Sequence, residues 1–225
     1  MRNVVIVGAG GAAAELTFYI EDYNASDKTT DKINIRGYLD YSMDYFKKYR
    51  FEKPMLSDIE SYDPRPDEEF LVAVMDIESR KRMIRILQEK NMKIGSFIHH
   101  SVIRPKELEI GEGNIIFPFS ILEKYSKIGN YNFLTTYCFI SHDCEIGDNN
   151  FFSVAGVAGS VRVGNHNYFG IRSQVIPGIT IGDNNTIQAG MVVDKNIEND
   201  STIFYRFKEK VLAIPKKQRD QTELD

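Results

Sequence analysis

The sequence predicts a chain in two parts, a small open parallel α/β sheet followed by a parallel β-helix. Three observations predict it. Strand and helix signals alternate along the first part of the chain, up to Phe97. Beyond it the pairs Ile110-Gly111, Ile128-Gly129, Ile146-Gly147, Val163-Gly164 and Ile181-Gly182 recur at spacings of 18, 18, 17 and 18 residues. Between these pairs, six-residue steps place apolar side chains at Ile116, Leu122, Leu134, Ile140, Phe152, Phe169, Val175, Ile187 and Val193.

In the first part, Val4 to Val7 is a continuous β-branched run, the pattern of a parallel strand covered on both faces. Gly8, Gly10 and Gly11 follow, then a helical stretch through Ala14, Leu16, Phe18 and Tyr19. Ile33 to Asp40 ("INIRGYLD") reads as a second strand and Phe70 to Val74 as a third. After Asp76 comes a charged helix, "ESRKRMIRILQEKN", with Met83, Ile86 and Leu87 on one apolar face. Lys93 to Ile98 is expected to close this sheet. The expected organisation is a domain at 1–97, a second at 98–203, and a tail at 204–225 with a short helix from Tyr205 to Ile214 and basic residues Lys216, Lys217 and Arg219.

A six-residue repeat tripled to 18 marks a parallel β-helix with three short flat sheets per coil. One large inward residue per face fills a triangular core. The residue after it is expected at a corner, where Gly, Asp and Asn tolerate unusual dihedrals. Two residues before each large position stands a small or polar side chain: Asn114, Ser120, Ser126, Asn132, Cys138, Cys144, Asn150, Asn167, Ser173 and Asn185. One residue is missing between Phe152 and Val157, after which the register resumes. A sandwich of ordinary strands would instead alternate with period two and turn every ~8–12 residues.

The 225 residues suffice for a real core, since a chain of this size buries about 70% of its unfolded surface. A hydrophobic share of 42% and a charged share of 27% exclude a mostly disordered chain. With 28 basic and 32 acidic residues and no basic run before the tail, a nucleic-acid partner is not expected. No apolar stretch approaches the ~20 residues of a membrane span, so no membrane partner is expected. The start "MRNVVIVGAGGAAAEL" has the outline of a signal peptide, but Gly8, Gly10 and Gly11 break its apolar run and a buried strand with a glycine turn fits better. Two cysteines without a C-x-x-C pair fit a reduced cytoplasm, with Cys138 and Cys144 packed as small hydrophobes.

Two places in the sequence carry chemistry. The loop "GAGGAAAE" joins a strand to a helix, where backbone N–H groups suit a phosphate. A dinucleotide fingerprint wants a third spaced glycine and an acid about 20 residues on. Here Asp40 lies 30 residues after Gly10, and the first part is long enough for one mononucleotide half only. The second place is His142, two residues after the inward Ile140 and so expected at an outward-facing corner. A histidine there suits a general base, with Asp143 to fix its tautomer. His99, His100 and His166 have no further ligand at a fixed offset and read as surface or hinge residues; no metal is expected.

The segments "VVIVGAGGAAAE", "GYLD", "FLVAVMD", "FIHHSVI", "ISHDCEIGDNN", "VAGSVRVG" and "FGIRSQVIPGITIGDN" occur in this order. Together they resemble the hexapeptide-repeat sugar acyltransferases, the N- and O-acetyltransferases related to the bacterial sialic-acid and bacillosamine-pathway enzymes, over residues 1 to about 200. The resemblance implies a Rossmann-like first domain, a left-handed β-helix, a homotrimer, and acetyl-CoA or another short acyl-CoA as co-substrate. It implies a nucleotide-linked amino sugar in the first domain, at Gly8, Gly10, Gly11, Asp40 and Asp76, with Asp40 near the ribose or base. It makes His142 the base, assisted by Asp143. It gives the Gly159 N–H to the oxyanion and sets Phe151, Gly159 and Ile171 beside the acyl-CoA. The chain departs from the family at Ala12 and Phe151, where histidines are usual, and at "STIFYRFKEK" in place of a "GNPA" ending. The implied activity is N-acylation of a nucleotide-linked amino-deoxy sugar. Its alternatives are O-acetylation of a sugar or sialic acid, and a non-catalytic nucleotide-binding β-helix.

Overall fold

The computed structural model describes residues 1–205; the expected helix beyond Tyr205 and the basic group Lys216, Lys217 and Arg219 lie outside them. Strands β1 (Arg2–Val7), β2 (Ile33–Leu39), β3 (Met55–Ser57) and β4 (Glu68–Val72) form one parallel sheet in the order β3-β2-β1-β4. β1 is central because its side chains are buried on both faces. Val4 and Ile6 pack with Leu16 and Ile20 of α1 (Gly11–Ala25), and Val5 and Val7 with Met83 and Leu87 of α3 (Ile77–Glu89). The apolar face of α3 takes in Ile84 as a fully packed member, while Ile86 sits at its margin.

Between β2 and β3 lies α2 (Met43–Tyr49), which the sequence reading did not mark. Its N-cap Ser42 accepts the Asp44 N–H, and no residue of it is buried, so no hydrophobic period announces it. The segment Lys93–Ile98 does not close the sheet. Ile94 makes one isolated bridge to Phe70, and then the chain leaves. Gly95 presses against the Glu69 side chain, and Phe97 turns into the next domain's first strand, β5 (Phe97–Ile98), which pairs with Ile115–Ile116.

From there each coil contributes one two-residue strand to each of three parallel sheets. The first face stacks Phe97–Ile98, Ile115–Ile116, Phe133–Leu134, Phe151–Phe152, Tyr168–Phe169, Thr186–Ile187 and Thr202–Ile203. The second stacks Ile121–Leu122, Phe139–Ile140, Gly156–Val157, Gln174–Val175 and Val192–Val193. The third stacks Glu109–Ile110, Lys127–Ile128, Glu145–Ile146, Arg162–Val163 and Thr180–Ile181. The inward side chains form one cluster from Ile116 to Val193, and the coils build the left-handed parallel β-helix.

The small polar positions have a specific task. Up one edge, the Oδ1 atoms of Asn114, Asn132, Asn150, Asn167 and Asn185 each accept the backbone N–H of the corresponding residue one coil on, at 2.8–2.9 Å. These buried amides satisfy backbone donors that two-residue strands leave over. The corners differ from the expectation. The left-handed residue is the third after the inward side chain, not the first, except in the shortened coil, where Val154 is the second after Phe152. It is often aromatic: Phe119, Tyr125, Tyr131 and Tyr137 all have φ between 58° and 65°. The glycine after the inward residue serves a different need. A Cβ on Gly111, Gly129, Gly147 or Gly164 would strike an Asn or Asp side-chain oxygen and the next glycine's backbone in the coil above, and one on Gly182 the Asn199 side-chain oxygen and the Glu198–Asn199 backbone.

The first domain sits on the first face. Ile115, Phe117, Phe133 and Phe151 belong to the same buried cluster as Val4, Ile6 and Leu16. Arg80 of α3, 1% exposed, donates from Nε to Asn149 Oδ1 at 2.6 Å across this junction. Among the described residues no helix is long and apolar enough to cross a membrane.

Candidate functional site

A cavity of about 400 Å³ opens at the carboxyl ends of β1, β2 and β4. That is where open parallel sheets bind ligands. Gly8, Gly10, Gly11, Asp40 and Asp76 all line it, as expected from sequence. Gly8 has φ +102°, and a Cβ there would lie 2.9 Å from the Ala73 carbonyl oxygen, so only glycine fits. Gly10 has open space beside it, on the cavity side. α1 starts at Gly11 with no side-chain cap, which leaves first-turn N–H groups for a ligand anion.

The two acids do not stand free in the cavity. Asp40 Oδ2 accepts the Ala9 N–H at 2.7 Å and Oδ1 the Ser42 N–H at 3.2 Å, so the carboxylate braces the glycine loop. Asp76 caps α3, accepting the Ser79 N–H at 2.8 Å, and the hydrogen bonds from Ser79 hold its carboxyl below the usual range. Tyr41, Tyr45, Met75 and Met83 supply the apolar walls; sequence reading missed the first three as wall residues because they come from loops and from α2, and placed Met83 only on the apolar face of α3. Tyr41 is itself held. Its hydroxyl donates to Glu60 Oε1 at 2.8 Å, and the Arg82 guanidinium lies 5.4 Å over its ring. Burial and the Glu60 contact push that phenol up to about 12.

The second place is the edge shared by the second and third faces. His142 Nδ1 lies 2.8 Å from Asp143 Oδ2. Asp143 has φ 59°, and this left-handed turn brings its carboxylate back onto the preceding ring. Both side chains are more than half exposed. Glu123, one coil earlier, pins the corner: its Oε2 accepts the His142 N–H at 3.0 Å and the Ser141 hydroxyl at 2.8 Å. Sequence reading missed Glu123; its signal is its place 18 residues before Ser141. One coil later, a Cβ on Gly159 would sit 2.6 Å from His142 Cε1 and 2.8 Å from Nε2, so a glycine there makes room for the ring. Among the described residues the Gly159 N–H has no hydrogen-bond partner. Beside His142 runs a groove of about 520 Å³ lined by Ile103, Arg104, Pro105, Ile121, Glu123 and Lys124.

Two residues that the resemblance set beside the acyl-CoA lie away from His142 within one chain. Phe151 is 1% exposed and stacks on Tyr168 at 5.1 Å under the first domain, so it fills the junction and does not line the His142 groove. Its side chain points out of the first face, which the docked domain covers. Ile171 is 52% exposed on the edge between the first and second faces, away from the edge that carries His142 and Gly159. Cys138 and Cys144 are buried as expected, and burial pushes the Cys138 thiol up to about 11, so neither is a poised nucleophile. His166 lies on the third edge, with Nδ1 3.1 Å from Asn149 Nδ2.

The placement of these two sites has a geometric consequence. The first domain covers the first face, whereas His142 lies on the one edge that this face does not touch. Within one chain, cavity and histidine are therefore on opposite sides of the prism.

No protein-family model matches the sequence. Solved structures do match. A histidine-to-asparagine variant of perosamine N-acetyltransferase from Caulobacter crescentus, in complex with CoA and GDP-perosamine, is 22% identical with a TM-score of 0.77, over 90% of this chain and 93% of that one. The acetyltransferase domain of PglB from Neisseria gonorrhoeae FA1090, in complex with acetyl coenzyme A, is 20% identical with a TM-score of 0.73, over 89% and 95%. WeeI from Acinetobacter baumannii AYE is 22% identical with a TM-score of 0.73, over 90% and 96%. From the glycine loop to the last coils, the chain has the fold of these three proteins.

Proposed function

We propose that the protein is an acyl-CoA-dependent N-acyltransferase, with acetyl-CoA as the first candidate donor, acting on the amino group of a nucleotide-linked amino-deoxy sugar. The observation that carries this reading is the His142–Asp143 pair packed against Gly159, whose N–H has no hydrogen-bond partner among the described residues. Asp143 accepts the Nδ1 proton and so leaves the Nε2 lone pair for the substrate. Nε2 takes a proton from the neutral sugar amine as its nitrogen attacks the thioester carbonyl. The Gly159 N–H stabilises the tetrahedral oxyanion. When the C–S bond breaks, the imidazolium returns the proton to the thiolate, and amide and free thiol leave. The fold match to solved complexes with CoA and GDP-perosamine, and with acetyl coenzyme A, supports this choice of donor and acceptor.

In this reading the sheet-end cavity holds the nucleotide handle. The α1 amides meet its phosphates, and the tyrosine-lined wall meets its base. Because cavity and His142 lie on opposite sides of one chain, the working site joins the cavity of one copy to the histidine edge of another, within a C3 ring. The second face fits a subunit contact, with Ile103, Ile121 and Val192 exposed and Phe119 stacked on Tyr137. The third face carries the ion pairs Lys127–Glu109 and Arg162–Glu145 and suits solvent. Two buried free thiols fit a reducing cytoplasm.

The test is thiol release from acetyl-CoA against UDP-, dTDP- and GDP-linked amino sugars, with the same free sugars and free sialic acid alongside. Acylation of a nucleotide-linked amine, far faster than of the free sugar, is the expected result. Faster turnover of a free sugar hydroxyl would replace this reading with O-acylation. No thiol release from any of them would leave a nucleotide-binding protein.

A further inference from the structure

A second cluster of polar groups lies where the two domains meet, and the proposed chemistry does not use it. Asp22 is on α1, and His99 and His100 directly follow β5. One carboxylate oxygen of Asp22 and one ring nitrogen of each histidine lie within 4.8 Å of one another. His99 is 2% exposed, with the rings of Tyr19, Tyr23 and Phe97 around it. Its Nε2 is 3.0 Å from Asp22 Oδ2, and its Nδ1 is 2.8 Å from Ser101 Oγ. The Phe119 N–H donates to that hydroxyl at 3.0 Å and so fixes its place. The His100 ring packs tilted on His99 at 4.2 Å between centroids, and its Nδ1 is buried with no hydrogen-bond partner among the described residues. A buried ring nitrogen left without a partner calls for an explanation.

We propose that Asp22, His99 and His100 bind a zinc ion that ties α1 to the first coil of the β-helix. Imidazole and carboxylate are zinc ligands, and bonds of about 2.0–2.2 Å place tetrahedral ligand atoms roughly 3.3–3.5 Å apart. The separations here, from 3.0 Å up to 4.8 Å, bracket that value, so small side-chain rotations bring the three atoms onto one ion. Without an ion the His99 Nε2–H donates to Asp22, and Nδ1 accepts from the Ser101 hydroxyl and, at 3.3 Å, from the Ser101 N–H. With zinc the ring takes the other tautomer: Nδ1–H donates to the Ser101 oxygen and Nε2 faces the metal. A hydroxyl can play either part, and this is the outer-sphere support that orients ligating histidines. Asp22 is more than half exposed, which leaves the fourth position to water. A neutral histidine pair and one carboxylate give the site a net charge of +1 with the ion bound.

The test uses the full chain, stripped with EDTA and dialysed, then titrated with zinc chloride by calorimetry and with cobalt chloride by visible absorption. One equivalent is expected to bind, with a rise in Tm and the intense d–d bands of a low-coordinate cobalt site. His100→Ala and Asp22→Asn change side chains that are at least partly exposed, and each is expected to weaken binding at least tenfold with an unchanged circular dichroism spectrum. Ser101→Ala should weaken it about 10–100-fold by loss of outer-sphere support. His142→Ala, on a different edge of the prism and two coils on, should bind as the parent does. Absence of stoichiometric zinc binding overturns the proposal. So does parent-like binding by both His100→Ala and Asp22→Asn, or loss of the site in His142→Ala.

Discussion

At the scale of single residues, the candidate centre depends on what stands one coil above and one coil below His142. The imidazole lies between a glycine that yields space and a glutamate that holds the backbone. His142→Ala is expected to lower kcat by about 10²–10⁴-fold, the range of a general-base contribution, while CoA binding measured by calorimetry stays near the parent value. Gly159→Ala keeps the N–H but puts a methyl 2.6 Å from Cε1. The ring must swing away, and a displacement near 1 Å is expected to cost about 10²-fold in kcat with no change in secondary structure by circular dichroism. The His142–Asp143 pair was legible because its members are adjacent in the chain. Gly159 was assigned by resemblance, and its contact with the ring became visible only in space. Glu123 was not legible, because its partners are a full coil away and a glutamate at a corner is otherwise unremarkable. Asp40 and Asp76 were legible as cavity residues, but their bonds to backbone amides were not, since those amides come from turns that no residue pattern specifies.

At the scale of elements, the β-helix owes its register to buried amides as much as to apolar packing. Asn150 accepts the Asn167 N–H at 2.8 Å and donates to the Gly164 carbonyl at 2.9 Å. Asn150→Ala leaves a buried donor unpaired, which is expected to destabilise the chain by about 1–3 kcal/mol in urea unfolding. The glycine loop before α1 makes a separate prediction. Gly10→Leu fills open space on the cavity side, so nucleoside diphosphate inhibition should weaken at least tenfold while CoA binding is kept. β1, β2 and the two long helices were readable from sequence, because a strand buried on both faces and an amphipathic helix have unmistakable periods. α2 and β3 were not, since α2 buries nothing and β3 is a three-residue edge strand. Lys93–Ile98 has a strand's composition, but Gly95 and the pull of the first coil take it out of the sheet.

At the scale of the whole molecule, the three faces of the prism have three different fates. One is covered by the chain's own first domain, one is apolar and bare, and one is charged. Light scattering is expected to give a trimer, and an active monomer would remove the two-copy site. Complementation tests that site more directly. Mixed oligomers of His142→Ala and Gly10→Leu chains, refolded together in equal amounts, should regain about a quarter of parent activity, because randomly mixed C3 rings pair an intact histidine edge with an intact cavity at about that frequency. A site built within one chain would regain none.

What the sequence determined by itself was the periodic part of the protein: the coil length, the inward side chains, the amide positions and the strand–glycine–helix opening. These follow from local rules, since a side chain repeated every six residues faces the same way whatever surrounds it. Only the tertiary structure decided what non-local contact decides. It set the first domain on one face, which buried Phe151 and left Ile171 on another edge. It closed Asp40 and Asp76 onto backbone amides, and brought Asp22 to His99 across the domain junction. Pairings of that kind depend on where whole elements dock, and docking is set by the summed burial of many side chains rather than by any local pattern.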